Sequence, residues 1–260
     1  MTAVDFAAFM DQLAAVSGET IRPFFRSALS VENKSSSGGF DPVTAADRAA
    51  ETAMRALIKK TFPAHGVIGE EFPPDQPDAE YVWILDPIDG TKSFICGMPA
   101  WGTLIALTRG GEPIYGMMHQ PFTREQFSGD GTGARYHGPA GDRALQTRAC
   151  ASLDDAIMLT TSPLLMNEAD RRSFGRVEHA VRLSRYGGDC YAYCVLAAGH
   201  VDLIVETELK PHDVLALIPI IEGSGGIMTT WENERPHNGG RIIAAGDARV
   251  HAQAMALLRG

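Results

Sequence analysis

The stretch that most constrains this chain is an apolar run that ends in acid. Tyr81–Leu85 reads as a strand that delivers Asp86 to its C-terminal end, and Pro87-Ile88-Asp89-Gly90-Thr91 follows. Proline fixes the chain direction after the strand and removes one amide donor. Both carboxylates and the carbonyl of Ile88 can then turn toward one point. Gly90 allows a close backbone approach, and Thr91 can begin a helix whose free amides suit a phosphate oxygen. An isolated Asp-x-x-Asp-Gly is an ordinary turn with a helix cap. The whole string from Trp83 to Thr91 is far more specific.

Other carboxylates fall at expected element ends: Asp41, Asp47, Glu70, Glu71 and Asp213. Bringing several together is costly, because like charges repel strongly in a weakly screened site. Hard divalent cations remove that cost. Mg²⁺ in particular takes oxygen ligands, keeps several waters, and leaves room for phosphate oxygens. Asp47 also stands three residues after Thr44, the spacing of a capping box, so taken alone it reads as a cap.

Charge points the same way. The chain carries 23 Lys+Arg against 32 Asp+Glu, a net charge of -9. That balance makes the chain a poor candidate for sequence-independent nucleic-acid binding, which depends on a basic surface. It also leaves an anionic substrate to be neutralised by something other than Lys and Arg, and bound cations would do so. No run of eighteen apolar residues is present, so no membrane span is expected. The N-terminus lacks a basic segment followed by an apolar stretch, so no signal peptide is expected. Cys96, Cys150, Cys190 and Cys194 form no Cys-x-x-Cys pair. Free thiols in a reducing cytosol, and a cytoplasmic location, are the expectation.

Periodicity predicts a helix over 4–29, disturbed near Gly18 and Pro23, and a second helix opened by Thr44-Ala45-Ala46-Asp47. Between them, Val31–Phe40 reads as a loop, either a disordered insert or a mobile lid that would bring Lys34 over the site. Strands are expected at Gly102–Thr108, Pro113–His119, Ile157–Thr161, Val201–Glu206 and Arg241–Ala245. Gln120–Gly141 reads as a meandering β region. Helices are expected at Ala169–Ala180, Gly188–Ala198, Asp213–Glu222 (where Pro219 should kink it or remove a hydrogen bond) and Ala248–Leu258. Strands and helices mix throughout without an internal repeat or clear linker, so layered α/β or α+β packing is expected. His65, His119 and His237 have no ligand spacing and read as structural or surface residues.

Four separated segments resemble the inositol monophosphatase superfamily of Mg²⁺-dependent, lithium-sensitive phosphatases: Asp41–Asp47, Gly69-Glu70-Glu71, Asp86–Thr91, and His212–Ala216 followed by Glu222-Gly223-Ser224-Gly225-Gly226. One departure is visible, since the family pattern has Trp where His212 stands. The resemblance implies a single domain over 1–260 built of alternating helix and sheet layers (αβαβα), with subregions of about 1–145 and 146–260, and a homodimer. It implies that Glu70, Asp86 and the carbonyl of Ile88 hold one Mg²⁺, that Asp86, Asp89 and Asp213 hold a second, and that a third, weaker ion sits on Glu70 through waters. Glu70 thereby joins Asp47 and Thr91, which would support the attacking water. The amides of Gly90 and Thr91 would hold phosphate. Two cations roughly 4 Å apart can clamp an in-line displacement at phosphorus. Positioning and charge stabilisation then do most of the chemistry.

The metal motifs do not choose the ester. Ser184–Cys194, with Val201–Glu206 and Leu209–Asp213, resembles the histidinol-phosphate phosphatases of bacterial histidine biosynthesis. An inositol ring offers hydroxyls and no charge, whereas Asp189 adds an anion suited to a cationic amino alcohol. By this resemblance Asp189 and Glu206 meet the ammonium or imidazole, and Arg185 helps hold the substrate or its phosphate. An N-terminal helix carboxylate favoured by the macrodipole is the bland account of Asp189. Two other functions are kept open: an inositol-phosphate or broad polyol phosphatase, and a non-catalytic family member that binds a protein or RNA complex.

Overall fold

The computed structural model describes residues 5–28, 31–33 and 42–260. Lys34 and Asp41 lie outside the described residues. Helices are α1 (Phe6–Ile21), α2 (Ala45–Thr61), α3 (Thr91–Ile95), α4 (Glu168–Ala180), α5 (Asp189–Ala197), α6 (Pro211–Val214), α7 (Leu217–Gly223) and α8 (Ala248–Arg259). A short antiparallel ribbon, β1 (Val31–Asn33) on β2 (Pro42–Thr44), precedes α2. So Val31–Asn33, the start of the stretch read as a loop, is in fact a strand.

Among the described residues, two sheets organise the rest. The first has seven strands in simple chain order: β3 (Gly66–Gly69), β4 (Tyr81–Asp89), β5 (Gly102–Arg109), β6 (Glu112–Gln120), β7 (Glu125–Gly129), β8 (Ala134–His137) and β9 (Arg143–Ala144). Only the pair β3–β4 is parallel; from β4 onward neighbours run antiparallel. The second comprises β10 (Ile157–Thr160), β11 (Leu183–Tyr186), β12 (Leu203–Leu209), β13 (Ile227–Thr230) and β14 (Gly240–Ala245), ordered β11-β10-β12-β14-β13.

Alternation along the strands sorts the core into layers. On β4 and β5, Trp83, Leu85, Ile105 and Leu107 point to α1 and α2, where they meet Phe9, Leu13, Met54 and Ile58. Val82, Ile84, Leu104 and Ala106 point the other way, onto α5 and α7 and through them to Ile204, Ile242 and Ala244 of the second sheet. The far face of that sheet, with Leu203, Val205, Ile243 and Ala245, is covered by α4 and α8 through Phe174, Val177, Val250 and Leu258. The result is the αβαβα stack that the resemblance implies.

Two glycines let the middle layer approach closely. A Cβ on Gly116 of β6 would stand 1.9 Å from the carbonyl oxygen of Ala216, and one on Gly129 of β7 would stand 2.4 Å from that of Pro219. Backbone is on the other side of each contact, so no side chain can swing away. Gly116→Ala is therefore expected to destabilise the fold by about 1–3 kcal/mol or more. Thermal unfolding would register this as several degrees in Tm at roughly 2–4 °C per kcal/mol; an unchanged Tm would mean the layers have slack.

Two helix expectations are corrected. α1 runs through Gly18, which is buried inside it, and stops before Pro23, whose missing amide cannot continue the ladder. The helix expected over Asp213–Glu222 is two helices. Pro219 sits in the first turn of α7, where no amide is needed, and its ring is incompatible with a helical carbonyl at Leu215, four residues back. The backbone keeps right-handed helical dihedrals through Leu215 and Ala216, so the division is the hydrogen bond that Pro219 removes. Strands β3, β11 and β13 are short and partly polar, and periodicity alone does not reveal them.

Candidate active site

Residues three apart on a regular strand face opposite sides, so Asp86 and Asp89 should diverge. They do not, because β4 is bulged. Asp86 pairs with Leu104 and Asp89 with Gly102, setting three residues against two on β5. The extra residue restores a common side for the two carboxylates. The expected turn is thus a bulged strand end. Pro87 sits inside the bulge, where a strand tolerates a missing donor. Thr103 on β5 secures it by donating to the Pro87 carbonyl at 2.8 Å. The amide of Ile88 donates to Asp86 Oδ1 at 3.1 Å, and the Thr91 hydroxyl donates to the Ile88 carbonyl at 3.0 Å.

Gly90 then turns the chain into α3 with φ +85°, a region L side chains avoid. A Cβ there would also lie 2.8 Å from the carbonyl oxygen of Ala100 and 3.0 Å from Cβ of Asp189. Only glycine lets the strand end meet the start of α5. The amide of Cys190 donates to Asp89 Oδ2 at 2.6 Å, which ties the two halves of the site together.

Asp47 and Asp213 are delivered by a shared device. Each is the third residue of a helix and reaches back to cap it. Thr44 donates to Asp47 Oδ2 through its amide at 2.8 Å and its hydroxyl at 2.6 Å, and the amide of Lys210 donates to Asp213 Oδ2 at 2.7 Å. Capping occupies one carboxylate oxygen and fixes the other. Among the described residues Asp47 Oδ1 is buried without a hydrogen-bond partner, which leaves it to a water or ligand. Glu70 is held at the end of β3, its amide donating to the Leu85 carbonyl at 3.2 Å. Glu51, buried on α2, takes the amide of Glu71 at 2.8 Å and the guanidinium of Arg55 at 2.7 Å. The sequence offers no cue to this brace, which spans two elements.

Among the described residues, ligand atoms of Asp86, Asp89 and Asp213 lie within 4.8 Å of one another, and so do those of Glu70, Asp86 and His212. Asp86 belongs to both groups. Burial pushes its carboxyl well above the usual range, and Glu70, Asp89 and Asp213 push it further. Asp89 is raised by burial and then by Asp213 and Asp189; Asp213 is raised chiefly by burial. Hard oxygen donors crowded until they resist ionisation fit a divalent cation, whose charge reverses the penalty. His212 enters this set although the sequence marks it only as a departure from the family pattern.

Beyond the cluster, Asp89, Asp189, Tyr193, Glu206, Leu209 and Asp213 line one small cavity. Asp189 opens α5 and accepts from the Ser93 hydroxyl at 2.6 Å. Glu206 Oε1 accepts from the amide of Thr161 at 2.7 Å and its hydroxyl at 3.0 Å. Burial still pushes Glu206 up to about 8, despite both bonds. Arg185 stands exposed on the edge strand β11. Among the described residues, no hydrogen bond or ion pair ties it to the carboxylates. His65 accepts from Trp83 Nε1 at 3.1 Å, and burial lowers His119 to about 4; both are structural. Cys150, Cys190 and Cys194 are buried free thiols, and Cys96 is exposed.

Glu206 yields a pH prediction for the metal-free protein. Its folded value near 8 exceeds the ordinary 4.5, so between those values the folded state holds more protons than the unfolded. Its contribution is fully present below about pH 4.5 and lost as pH rises through about 8. Glu206→Gln removes the charge but keeps an oxygen for Thr161. Denaturant unfolding with chelator should show the variant gaining a few kcal/mol at pH 8.5 and little at pH 4.5. Equal gains at both pH values would contradict this.

Residues 3–259 match the sequence profile of the inositol monophosphatase family. The chain belongs to that family. As an inositol monophosphatase family phosphatase it is 43% identical over 262 residues to the bifunctional phosphatase IMPL2, chloroplastic, of Arabidopsis thaliana, covering 96% of this chain and 74% of that protein. It is 34% identical over 218 residues to the histidinol-phosphatase of Chlorobaculum parvum, covering 83% of this chain and 82% of that one. Among solved structures, an inositol monophosphatase from Zymomonas mobilis superposes with a TM-score of 0.87 at 39% identity, covering 99% of this chain and 100% of that one. Among the described residues of this family member, no helix is long and apolar enough to cross a membrane.

Proposed function

We propose that this chain is a Mg²⁺-dependent phosphomonoesterase that hydrolyses L-histidinol phosphate to L-histidinol and phosphate. The observation that carries the substrate choice is the pair Asp189 and Glu206, two carboxyls beyond the cation set that line the same cavity as Asp89 and Asp213. Burial disfavours the ionised form of both carboxyls, and a cationic ligand in the cavity would relieve that penalty; histidinol carries an ammonium and an imidazole. The histidinol-phosphatase of Chlorobaculum parvum is a supporting relative by name.

In this reading Glu70, Asp86, Asp89, Asp213 and the Ile88 carbonyl hold two cations, with a third, weaker one on Glu70. When bound, the ions neutralise the phosphate and lower the pKa of a coordinated water. Asp47 Oδ1, left open by the cap on Thr44, accepts a proton from the attacking water and orients it. Thr91, anchored on the Ile88 carbonyl, keeps the strand end in register with that water. Gly90 and Thr91 start α3, whose first amides have no helical partner and are placed for phosphate oxygens. The water oxygen joins phosphorus, the ester P–O bond breaks, and the proton taken up by Asp47 passes through solvent to the leaving oxygen, which becomes the alcohol. Arg185, exposed on β11, would help hold the substrate or its phosphate.

A second reading, an inositol-phosphate phosphatase, is favoured by the likeness to the Zymomonas mobilis inositol monophosphatase. Phosphate release from a panel of esters in Mg²⁺ separates the two. Histidinol phosphate is expected to turn over with the highest kcat/KM; faster turnover of inositol 1-phosphate would sink the proposal. Release from no ester at all would favour a non-catalytic binding protein.

A further inference from the structure

His212 is unlike the other histidines of the chain. It is the second residue of α6, its side chain is 14% exposed, and it offers a ring nitrogen within 4.8 Å of carboxylate oxygens of both Glu70 and Asp86. Asp213, the next residue, belongs to the other group, with Asp86 and Asp89. Neighbours on a helix point about 100° apart, so a single turn of α6 supplies one donor to each group. The obvious structural role for His212 is a bond to Asp213, yet its Nε2 stands 3.5 Å from Asp213 Oδ1, beyond normal hydrogen-bond length. The other oxygen of Asp213, Oδ2, is already taken by the amide of Lys210.

We infer that His212 is a nitrogen ligand to the cation held by Glu70 and Asp86, and that this position therefore prefers a transition-metal dication over Mg²⁺. The inference rests on the cation sites proposed above. Its basis is the chemistry of the donors: imidazole suits cobalt, nickel and zinc dications, whereas carboxylate, carbonyl and water suit Mg²⁺. The group Asp86, Asp89 and Asp213 offers oxygen alone. The two positions thus differ in kind, one all-oxygen and one mixed, while sharing Asp86. A mixed pair of ions, one hard and one borderline, is the state this donor set selects when both are supplied.

Co²⁺ is the probe. In the proton NMR spectrum of the Co²⁺-loaded protein, a coordinated imidazole gives a solvent-exchangeable N–H resonance shifted far outside the normal range. That resonance is expected in the wild type and absent in His212→Gln. Calorimetric titration should show Co²⁺ affinity at the tighter site falling by on the order of tenfold or more in His212→Gln, with Mg²⁺ affinity falling less. His212→Phe provides a second variant should Gln bind metal through its own oxygen. Co²⁺ binding with no shifted N–H resonance, or a Co²⁺-to-Mg²⁺ affinity ratio unchanged in both variants, overturns the inference and leaves the phosphatase reading standing. Failure to bind any divalent cation overturns both.

Discussion

Asp86→Asn is expected to lower phosphate release by on the order of 10³-fold or more, since losing about 4 kcal/mol of transition-state stabilisation suffices for that factor. The same substitution is expected to raise the melting temperature of the metal-free protein. Both effects have one cause. Asp86 is the carboxylate common to both ligand groups, and burial with three acidic neighbours holds its carboxyl well above the ordinary range. Without cations, the folded state binds its proton more tightly than the unfolded chain does, so stability falls as pH rises above the ordinary carboxylate value. A neutral amide removes that repulsion. It also keeps an oxygen to accept from the Ile88 amide, so the bulge is retained. With cations present the sign reverses, because the missing charge weakens both positions. Steady-state rates in Mg²⁺ and calorimetric unfolding in chelator measure the two halves. Turnover near wild type would place the cations elsewhere.

Removing charge from the substrate end has a different signature. Asp189→Asn and Glu206→Gln are each expected to lower kcat/KM for histidinol phosphate by about 10–100-fold, the range for losing a hydrogen bond to a charged group. p-Nitrophenyl phosphate, which carries no cation, should change little. Asn is the informative replacement at position 189 because the backbone there has φ +43°, which Asn tolerates better than Ala. Ser93 can donate to the amide oxygen as it does to the carboxylate. Parallel losses on both esters would mean that Asp189 only opens α5.

The carboxylate cluster is largely legible in the sequence, because its residues fall in short strings whose spacing is itself unusual. Asp86 and Asp89 were visible, but the device that aligns them was not. A bulge is a relation between two strands, and nothing within Tyr81–Asp89 reveals the register of β5. The cap roles of Asp47 and Asp213 are local, and the Thr44–Asp47 spacing showed one of them in advance. His212 and Glu51 stayed hidden for the opposite reason. His212 reaches Glu70 only because α6 packs against β4, and Glu51 reaches the amide of Glu71 from the middle of α2. Arg185 is exposed at the sheet edge on β11, so its part in holding the substrate rests on the resemblance and not on a contact. At the fold level, long elements with clear periodicity were readable. The short strands β3 and β13 and the break before α7 depended on their neighbours.

The most direct test is a calorimetric titration of Mg²⁺ into the metal-free protein in buffers of different ionisation enthalpy. Crowded carboxyls that resist ionisation must give up protons when cations arrive, so binding should be saturable, exceed one ion per chain, and release protons. Asp86→Asn should abolish the proton release and most of the heat. Saturable binding that is indifferent to Asp86, or phosphate release that survives complete removal of divalent cations, would contradict the account.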